Sequence, residues 1–241
     1  GAFNTVASMI RRFEPSHVLM AFDMGRSSKR VAMYPEYKAN RKQDHSKDEG
    51  PQLDFFPQME LFWALCEAVG IPYLRVPNVE ADDIIAYIVK DDKFADYQKV
   101  ICSNDKDFLQ LLDDKTVLYR PVKDEILNKK KVVDEYGLHP INFALSRSIV
   151  GDISDNLEGV KGVGLATVAK RFPFLAEERE YTLDDVLKHC REHSTEVKIY
   201  KSILQEHKKI KLNQRVMQLS YRPVTVETKK KINSDIKGAE C

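Results

Sequence analysis

Eight carboxylates fall in four short groups: Asp23; Glu80, Asp82 and Asp83; Asp105 and Asp107; Asp152 and Asp155. The segments beside the first three groups are apolar, with Val18–Phe22 before Asp23, Ile84–Val89 after Asp83 and Val100–Cys102 before Asp105. Carboxylates that converge beside a core repel one another unless cations hold them, so the pattern reads as a divalent-metal site. Helix capping or a solvated loop would account for any one of these acids, Asp23 above all, but the joint spacing favours metal.

A second signal follows the last acidic group. Gly159-Val160-Lys161-Gly162-Val163-Gly164 precedes the helical stretch Leu165 to Arg171, which makes a glycine-rich turn opening a helix. Free backbone N–H groups at such a turn can hold a phosphate without reading base sequence. Glycines permit close backbone approach, and Lys161, Lys170 and Arg171 add the charge that favours a phosphodiester strand. His189, Cys190 and His193 lie at helical spacings that suit zinc, but no fourth ligand is near and a helix surface explains them better. Phe55, Phe56, Phe62 and Trp63 border a regular amphipathic helix and read as core.

The elements that must position these residues alternate. Asn4–Phe13 reads as a short amphipathic helix and His17–Phe22 as an apolar strand with Asp23 at its end. Residues 24–56 are polar, weakly periodic and punctuated by Pro35, Gly50 and Pro51, which suggests a mobile excursion outside the core. Gln58–Val69 is a helix closed by Gly70, and Ile71–Val76 a short extended segment. A helix starts near Asn78 with Ala81, Ile84, Ile85 and Ile88 as its apolar stripe, which places Glu80, Asp82 and Asp83 in the first turn, where acids suit the helix dipole. Lys99–Cys102 and Val117–Arg120 are further strands, with Phe108–Leu112 opening a helix between them. The alternation implies a doubly wound, mostly parallel α/β sheet with its site at the carboxyl ends of the strands. Beyond Lys131 the strand signals fade. The chain is therefore expected to divide into an α/β domain over residues 1–140 and a helical domain over 141–241, with a charged tail from Lys229.

Composition sets modest bounds. The chain has 241 residues, 43% hydrophobic and 9% aromatic, enough for a real core. A net charge of +1 gives no global preference for a polyanion, so nucleic acid must be met by local basic patches. Four cysteines without C-x-x-C spacing suggest a reducing, cytoplasmic setting. No apolar stretch reaches membrane-spanning length, and no signal peptide is recognisable.

Tyr34-Pro35-Glu36-Tyr37-Lys38-Ala39-Asn40-Arg41, Glu80-Ala81-Asp82-Asp83, Ser103-Asn104-Asp105-Lys106-Asp107 and Gly151-Asp152-Ile153-Ser154-Asp155-Asn156, in this order, resemble the bacterial and bacteriophage 5′ nuclease (flap endonuclease) family. The resemblance runs from Gly1 to about Val224 and includes the 5′-nuclease part of bacterial DNA polymerase I; nothing in this chain continues into a polymerase, and a stand-alone, phage-type enzyme is expected. It implies a PIN-like α/β domain, a helical arch spanning residues 24–56, a helix-hairpin-helix-type DNA clamp with an optional K⁺ ion, and two catalytic Mg²⁺ ions for which Mn²⁺ can substitute. Carried over by position, Asp23, Glu80, Asp82 and Asp83 serve the first ion, and Asp105, Asp107, Asp152 and Asp155 the second. The same resemblance implies that Tyr37 stacks on the terminal base and that Lys38 and Arg41 neutralise the scissile phosphate. Gly159, Val160, Lys161, Gly162, Val163, Gly164, Lys170 and Arg171 form the implied DNA clamp.

The family begins with a strand ending in a further metal-binding Asp, and this sequence starts after that place: either a natural N-terminus is omitted, which is the expectation, or the site is one ligand short. The expected partner is DNA with a 5′ flap or free 5′ end, or an RNA primer on DNA, bound by a monomer without a membrane. Two alternatives stand beside this reading: a PIN-type ribonuclease, which needs neither the arch nor the glycine turn, and a structure-specific DNA-binding protein without catalysis.

Overall fold

The computed structural model describes residues 2–41, 55–193, 195, 197–219 and 225–237. In its first half the elements are α1 (Ala2–Phe13), β1 (Met20–Phe22), α2 (Ser28–Met33), α3 (Phe55–Ala68), β2 (Tyr73–Arg75), α4 (Ala81–Val89), β3 (Lys99–Cys102), β4 (Thr116–Arg120) and β5 (Glu125–Leu127). There follow α5 (Lys129–Tyr136), α6 (Phe143–Val150), β6 (Gly151–Asp152), β7 (Leu157–Glu158), α7 (Leu165–Arg171), α8 (Leu183–Glu192), α9 (Lys198–Gln205), α10 (His207–Met217) and α11 (Val226–Lys237). None of the described helices is long and apolar enough to cross a membrane.

The chain forms two compact units. The first contains the described residues within 1–27, 42–85 and 221–241, the second those within 28–41 and 86–220. In the first unit β1 and β2 pair in parallel, Met20 opposite Tyr73 and Phe22 opposite Arg75. Phe22 sits edge-on to Phe62, Trp63 and Tyr73, and the Arg75 guanidinium lies 3.5 Å from the Trp63 ring centre. Phe62 and Trp63 thus pack in a ring cluster but are half-buried rather than fully core; the side chains of Phe55 and Phe56 lie outside the described residues. The expected charged tail is instead the helix α11, packed against β2 with Ile232 fully buried, so one apolar side chain overrides the polar composition around it.

In the second unit β3 and β4 are parallel and β4 continues into the antiparallel hairpin strand β5. The helix expected from Phe108 is a 3-10 turn, Lys106–Leu111, with Phe108, Leu109 and Leu111 buried beneath it. Residues 140 and 141 lie inside this unit, so packing does not divide the chain where the strand signals fade. Asn142 is fully buried and its amide donates to the Leu175, Glu177 and Arg179 carbonyls, which ties the start of α6 to the segment between α7 and α8. Helix α10 packs chiefly on α6, and its buried Asn213 donates to the Ser148 carbonyl at 3.1 Å and the Glu158 carbonyl at 2.8 Å. Gln110 holds the end of α10 from the other side, donating to the Met217 carbonyl and accepting from the Leu219 N–H.

Residues 28–41 are not an excursion outside the core. Arg30 on α2 is buried and its Nε donates to the Val216 carbonyl at 2.8 Å. Tyr37 is 2% exposed and packs with Leu157, Val216 and Met217. The remainder of the expected arch, residues 42–54, lies outside the described residues.

Candidate active site

In the first unit, Asp23 follows β1 directly and its Oδ1 accepts from the Ala81 N–H at 2.7 Å. An acid at the end of a strand thus supplies the N-terminal cap of α4. Glu80 and Asp83 are 4% and 1% exposed, while Asp82 is half-buried. The buried face of α4 therefore runs through Glu80, Asp83, Ile84 and Tyr87, with Ile85 and Ile88 only half-buried. The expected stripe through Ala81, Ile84, Ile85 and Ile88 is rotated, and the rotation carries two carboxylates inward. Buried acids at a helix N-terminus gain from the dipole, and oxygen donors so desolvated suit a hard cation.

In the second unit, Asp105 and Asp107 follow β3, and Asp152 and Asp155 follow α6. Asp105 caps the 3-10 turn at 106–111, accepting from the Asp107 N–H at 2.8 Å. Asp152 caps the turn Ile153–Asp155 in the same way, its Oδ1 accepting from both the N–H and the hydroxyl of Ser154. The two groups meet at Arg147, a residue that no sequence motif singles out. From α6 it donates through Nε to Asp107 at 3.2 Å and through Nη2 to Asp152 at 2.5 Å. All three side chains keep only 16–17% of their surface exposed.

Burial pushes the Asp107 carboxyl up to about 6, with Asp105 and Asp152 adding to the push and Arg147 opposing it. Burial also acts on Asp152, but the Ser154 hydrogen bonds and the Arg147 charge outweigh it and hold that carboxyl below its ordinary value. Burial tends to lower Arg147, and the two carboxylates reverse that and raise it. The arrangement is an acidic pair on a single built-in cation.

Residues 34–41 are stapled across the same acidic loop. The Lys38 N–H donates to the Asp155 carbonyl at 3.0 Å, Asn40 Nδ2 to the Ile153 carbonyl at 2.7 Å and Arg41 Nε to the Ser154 carbonyl at 3.1 Å. Arg41 Nη2 also pairs with Asp155 Oδ1 at 2.6 Å. Reciprocally, Asn156 donates to the Glu36 carbonyl and Tyr34 to the Asn156 carbonyl. Lys38 and Asn156 both take left-handed backbone angles, φ +54° and +61°, a conformation that costs a non-glycine residue and is held here by the staple. Arg41 thus pairs with the Asp155 carboxylate, whereas Lys38 meets Asp155 through its backbone N–H and carries its ammonium over the Tyr37 ring.

Tyr37 does not fit its expected role. Its ring is buried in the core, with the Lys38 ammonium 4.9 Å and the Arg30 guanidinium 5.9 Å from its centre, so no face is open to a base. Its packing anchors the segment that carries Lys38 and Arg41.

The glycine turn is present. Gly162 has φ +77°, Gly164 is the N-terminal cap residue of α7, and no side chain caps that helix, so its first N–H groups are not taken by a cap. A Cβ at Gly162 or Gly164 would meet no atom within 4 Å, so the chain leaves both faces open. Lys161 and Lys170 are exposed and Arg171 half-exposed. Three expected clamp residues have other work. Val160 and Val163 are 2% and 6% exposed, and their N–H groups donate to the Ile149 and Val160 carbonyls, so they anchor the turn. At Gly159 a Cβ would lie 1.8 Å from the Val150 carbonyl oxygen; this glycine lets β7 pass β6 closely. His189 and His193 stack at 4.3 Å among Phe172, Phe174 and Tyr200, as ring packing rather than a zinc site.

Among the described residues no three His, Cys, Asp or Glu side chains gather closely enough to make a metal cage. Mg²⁺ does not need one, since it keeps several waters and is commonly held by one or two carboxylates. The donor set, all oxygen with Asp107 and Asp152 converging on one positive group, fits such an ion.

A family model described as 5′-3′ exonuclease, N-terminal resolvase-like domain, matches residues 1–137. The chain belongs to this 5′-3′ exonuclease family. Relatives include DNA polymerase I of Mycobacterium tuberculosis, 38% identical over 167 residues that cover 68% of this chain and 18% of that polymerase. The 5′-3′ exonuclease of Aquifex aeolicus is 31% identical over 167 residues, 69% of this chain and 55% of that protein. The chain therefore spans about half of that exonuclease and under a fifth of the polymerase. In three dimensions it is similar to the flap endonuclease of bacteriophage T5 in a complex with DNA and metal ions, with TM-score 0.81 and 20% identity over 99% of this chain and 89% of that one. A zinc-bound T5 5′-exonuclease gives TM-score 0.80 at 20% identity over 98% of this chain and 88% of that one. The 5′-3′ exonuclease family member thus has the PIN-like α/β fold expected from its motifs.

Proposed function

We propose that this chain is a structure-specific 5′ nuclease that hydrolyses DNA at 5′ flaps and free 5′ ends during replication or repair, including strands begun by an RNA primer. The observation that carries the proposal is the staple of Lys38, Asn40 and Arg41 across Ile153–Asn156, which fixes the Arg41 guanidinium on Asp155 and holds the Lys38 backbone beside the same acidic loop. An anionic substrate held on a metal site needs this combination of charges.

Asp23, Glu80, Asp82 and Asp83 are assigned to one divalent ion, and Asp105, Asp107, Asp152 and Asp155 to the other, with Mg²⁺ preferred and Mn²⁺ a substitute. Such ions, when bound, supply a hydroxide-like nucleophile near neutral pH and stabilise the leaving oxygen. Lys38 and Arg41 neutralise the scissile phosphate, and Arg41 must exchange Asp155 for phosphate to do so. The exposed turn Lys161–Gly164, with Lys170 and Arg171, holds the phosphodiester backbone without reading bases, and a K⁺ ion at this turn completes the clamp. Residues 141–241 are the DNA-binding part, residues 1–140 the catalytic part, and the protein acts as a monomer.

The test is cleavage with Mg²⁺ of a 5′-flap DNA, an RNA of matched sequence and a plain duplex. Cleavage confined to the flap and to free 5′ ends is expected. Preferential cutting of RNA would place the chain with ribonucleases, and tight flap binding without cleavage would make it a DNA-binding protein.

A further inference from the structure

Residues 198–217 hold six basic residues, Lys198, Lys201, Lys208, Lys209, Lys211 and Arg215, against the single acid Glu206. That is a net +5 in a stretch of 20 residues, within a chain whose total is +1. On α10 the charge is sorted by face. Ile210, Asn213, Val216 and Met217 are buried, whereas Lys208, Lys211 and Arg215 are exposed at spacings of three and four, one stripe on the helix. Lys209 is neutralised by Glu206, but none of the three stripe residues forms an ion pair among the described residues.

The stripe is also held rigidly. Asn213 ties α10 to the end of α6 and to Glu158, just before the glycine turn, while Gln110 ties it to the 3-10 turn that carries Asp107. Seven residues of helix place Lys208 and Arg215 about 10 Å apart, a fixed row on the scale of a few backbone phosphates. The only tyrosine, phenylalanine or tryptophan between 198 and 217 is Tyr200, which is 5% exposed. Unpaired strands are held by exposed aromatic side chains on which bases stack, and this face has none. A straight cationic row without stacking platforms suits the phosphate backbone of a duplex.

We infer that the Lys208–Lys211–Arg215 face of α10 is a docking surface for the backbone of double-stranded DNA, separate from the glycine turn and holding a duplex arm of the substrate. The inference rests on the proposed DNA nuclease reading. Its test uses the full chain in EDTA, with fluorescence anisotropy on two 5′-flap DNAs that differ only in duplex arms of about 20 or about 6 base pairs, over a series of salt concentrations. The triple variant Lys208→Gln, Lys211→Gln and Arg215→Gln is expected to bind the long-armed DNA about tenfold or more weaker at low salt. Its slope of log affinity against log salt should shrink by about 2 to 3, close to 0.9 for each phosphate that is no longer neutralised. The loss on the short-armed DNA should be much smaller. A variant that matches the parent in affinity and salt slope on the long arm overturns the docking surface and leaves the nuclease reading standing, as does an equal loss on both DNAs. A parent that binds neither DNA overturns both.

Discussion

Arg147→Gln tests whether the second acidic group is held together by its internal cation. In the folded protein the guanidinium reaches Asp107 at 3.2 Å and Asp152 at 2.5 Å, and all three side chains keep about one sixth of their surface in water. Removing one partner of a buried ion pair costs about 3–5 kcal/mol, because the other charge stays desolvated and unpaired. The residual exposure and glutamine's ability to donate one hydrogen bond reduce this, so about 2–3 kcal/mol is expected at pH 8.

The loss should depend on pH with a definite sign. A folded-state value of about 6 lies above the ordinary 3.8 of Asp107, so the ionised carboxyl already costs the folded state above that pH, and the cost is relieved as pH falls through about 6. Without Arg147 the carboxyl rises further, so the variant's deficit should be largest at pH 8 and smaller at pH 5, where Asp107 binds a proton. Urea unfolding in EDTA at the two pH values measures both quantities. Added Mn²⁺ should then restore more stability to the variant than to the parent, since a divalent ion takes the place of the missing charge. A variant within about 0.5 kcal/mol of the parent at pH 8 would refute the reasoning, as would a deficit that grows on acidification.

Gly151→Ala should lower stability by several kcal/mol or prevent folding, since its Cβ would lie 2.3 Å from the Gly159 nitrogen at φ +78°. Gly164→Ala should leave the unfolding midpoint unchanged and weaken binding to DNA of every sequence about equally, which competition between unrelated duplexes would measure. Asp105→Asn should keep the cap on the 3-10 turn, and with it stability to about 0.5 kcal/mol, yet abolish Mg²⁺-dependent cleavage; Asp105→Ala should lose both, with about 1 kcal/mol of stability. Near-normal turnover in either would remove Asp105 from the metal site. His139 is buried, which lowers its pKa below 6.5, so the stability it confers is full above that value and falls as pH drops through it. His139→Asn, which retains an acceptor for the Ile141 N–H, should flatten this part of the pH profile in thermal unfolding.

Much of the α/β frame could be read from the chain because its signals are local. The runs at 99–102 and 117–120 carry their own apolar pattern, and Gly70, with φ +70°, marks the end of α3 by its backbone alone. What escaped depends on partners far away in sequence. Residues 34–41 look polar and aperiodic, yet they are ordered by hydrogen bonds to residues 113 to 122 positions distant, and Tyr37 becomes core only when Val216 arrives. Strand β5 is three residues long and exists by pairing with β4. Arg147 left a faint trace, a lone cation within the otherwise uncharged stretch Phe143–Val150, five residues before Asp152. A charge in such a helix asks for a buried counter-charge, and that question would have found Asp107.

The bland and the functional readings of the acids turn out to be compatible. Asp23, Asp105 and Asp152 do cap helices, but in each case the capping hydrogen bonds fall on Oδ1. At Asp23 and Asp105 the other oxygen accepts no hydrogen bond from the described residues, and at Asp152 it goes to Arg147. At Asp23 and Asp105 the cap fixes the carboxylate plane without consuming the whole group, whereas at Asp152 both oxygens are engaged. Orientation is the property a metal ligand most needs from its surroundings, because a swinging carboxylate must lose its rotational freedom when the ion arrives. On the proposed metal reading, the same hydrogen bond that stabilises a turn by about 1 kcal/mol also orients an oxygen for a cation, so acids placed at the starts of elements can serve folding and chemistry together.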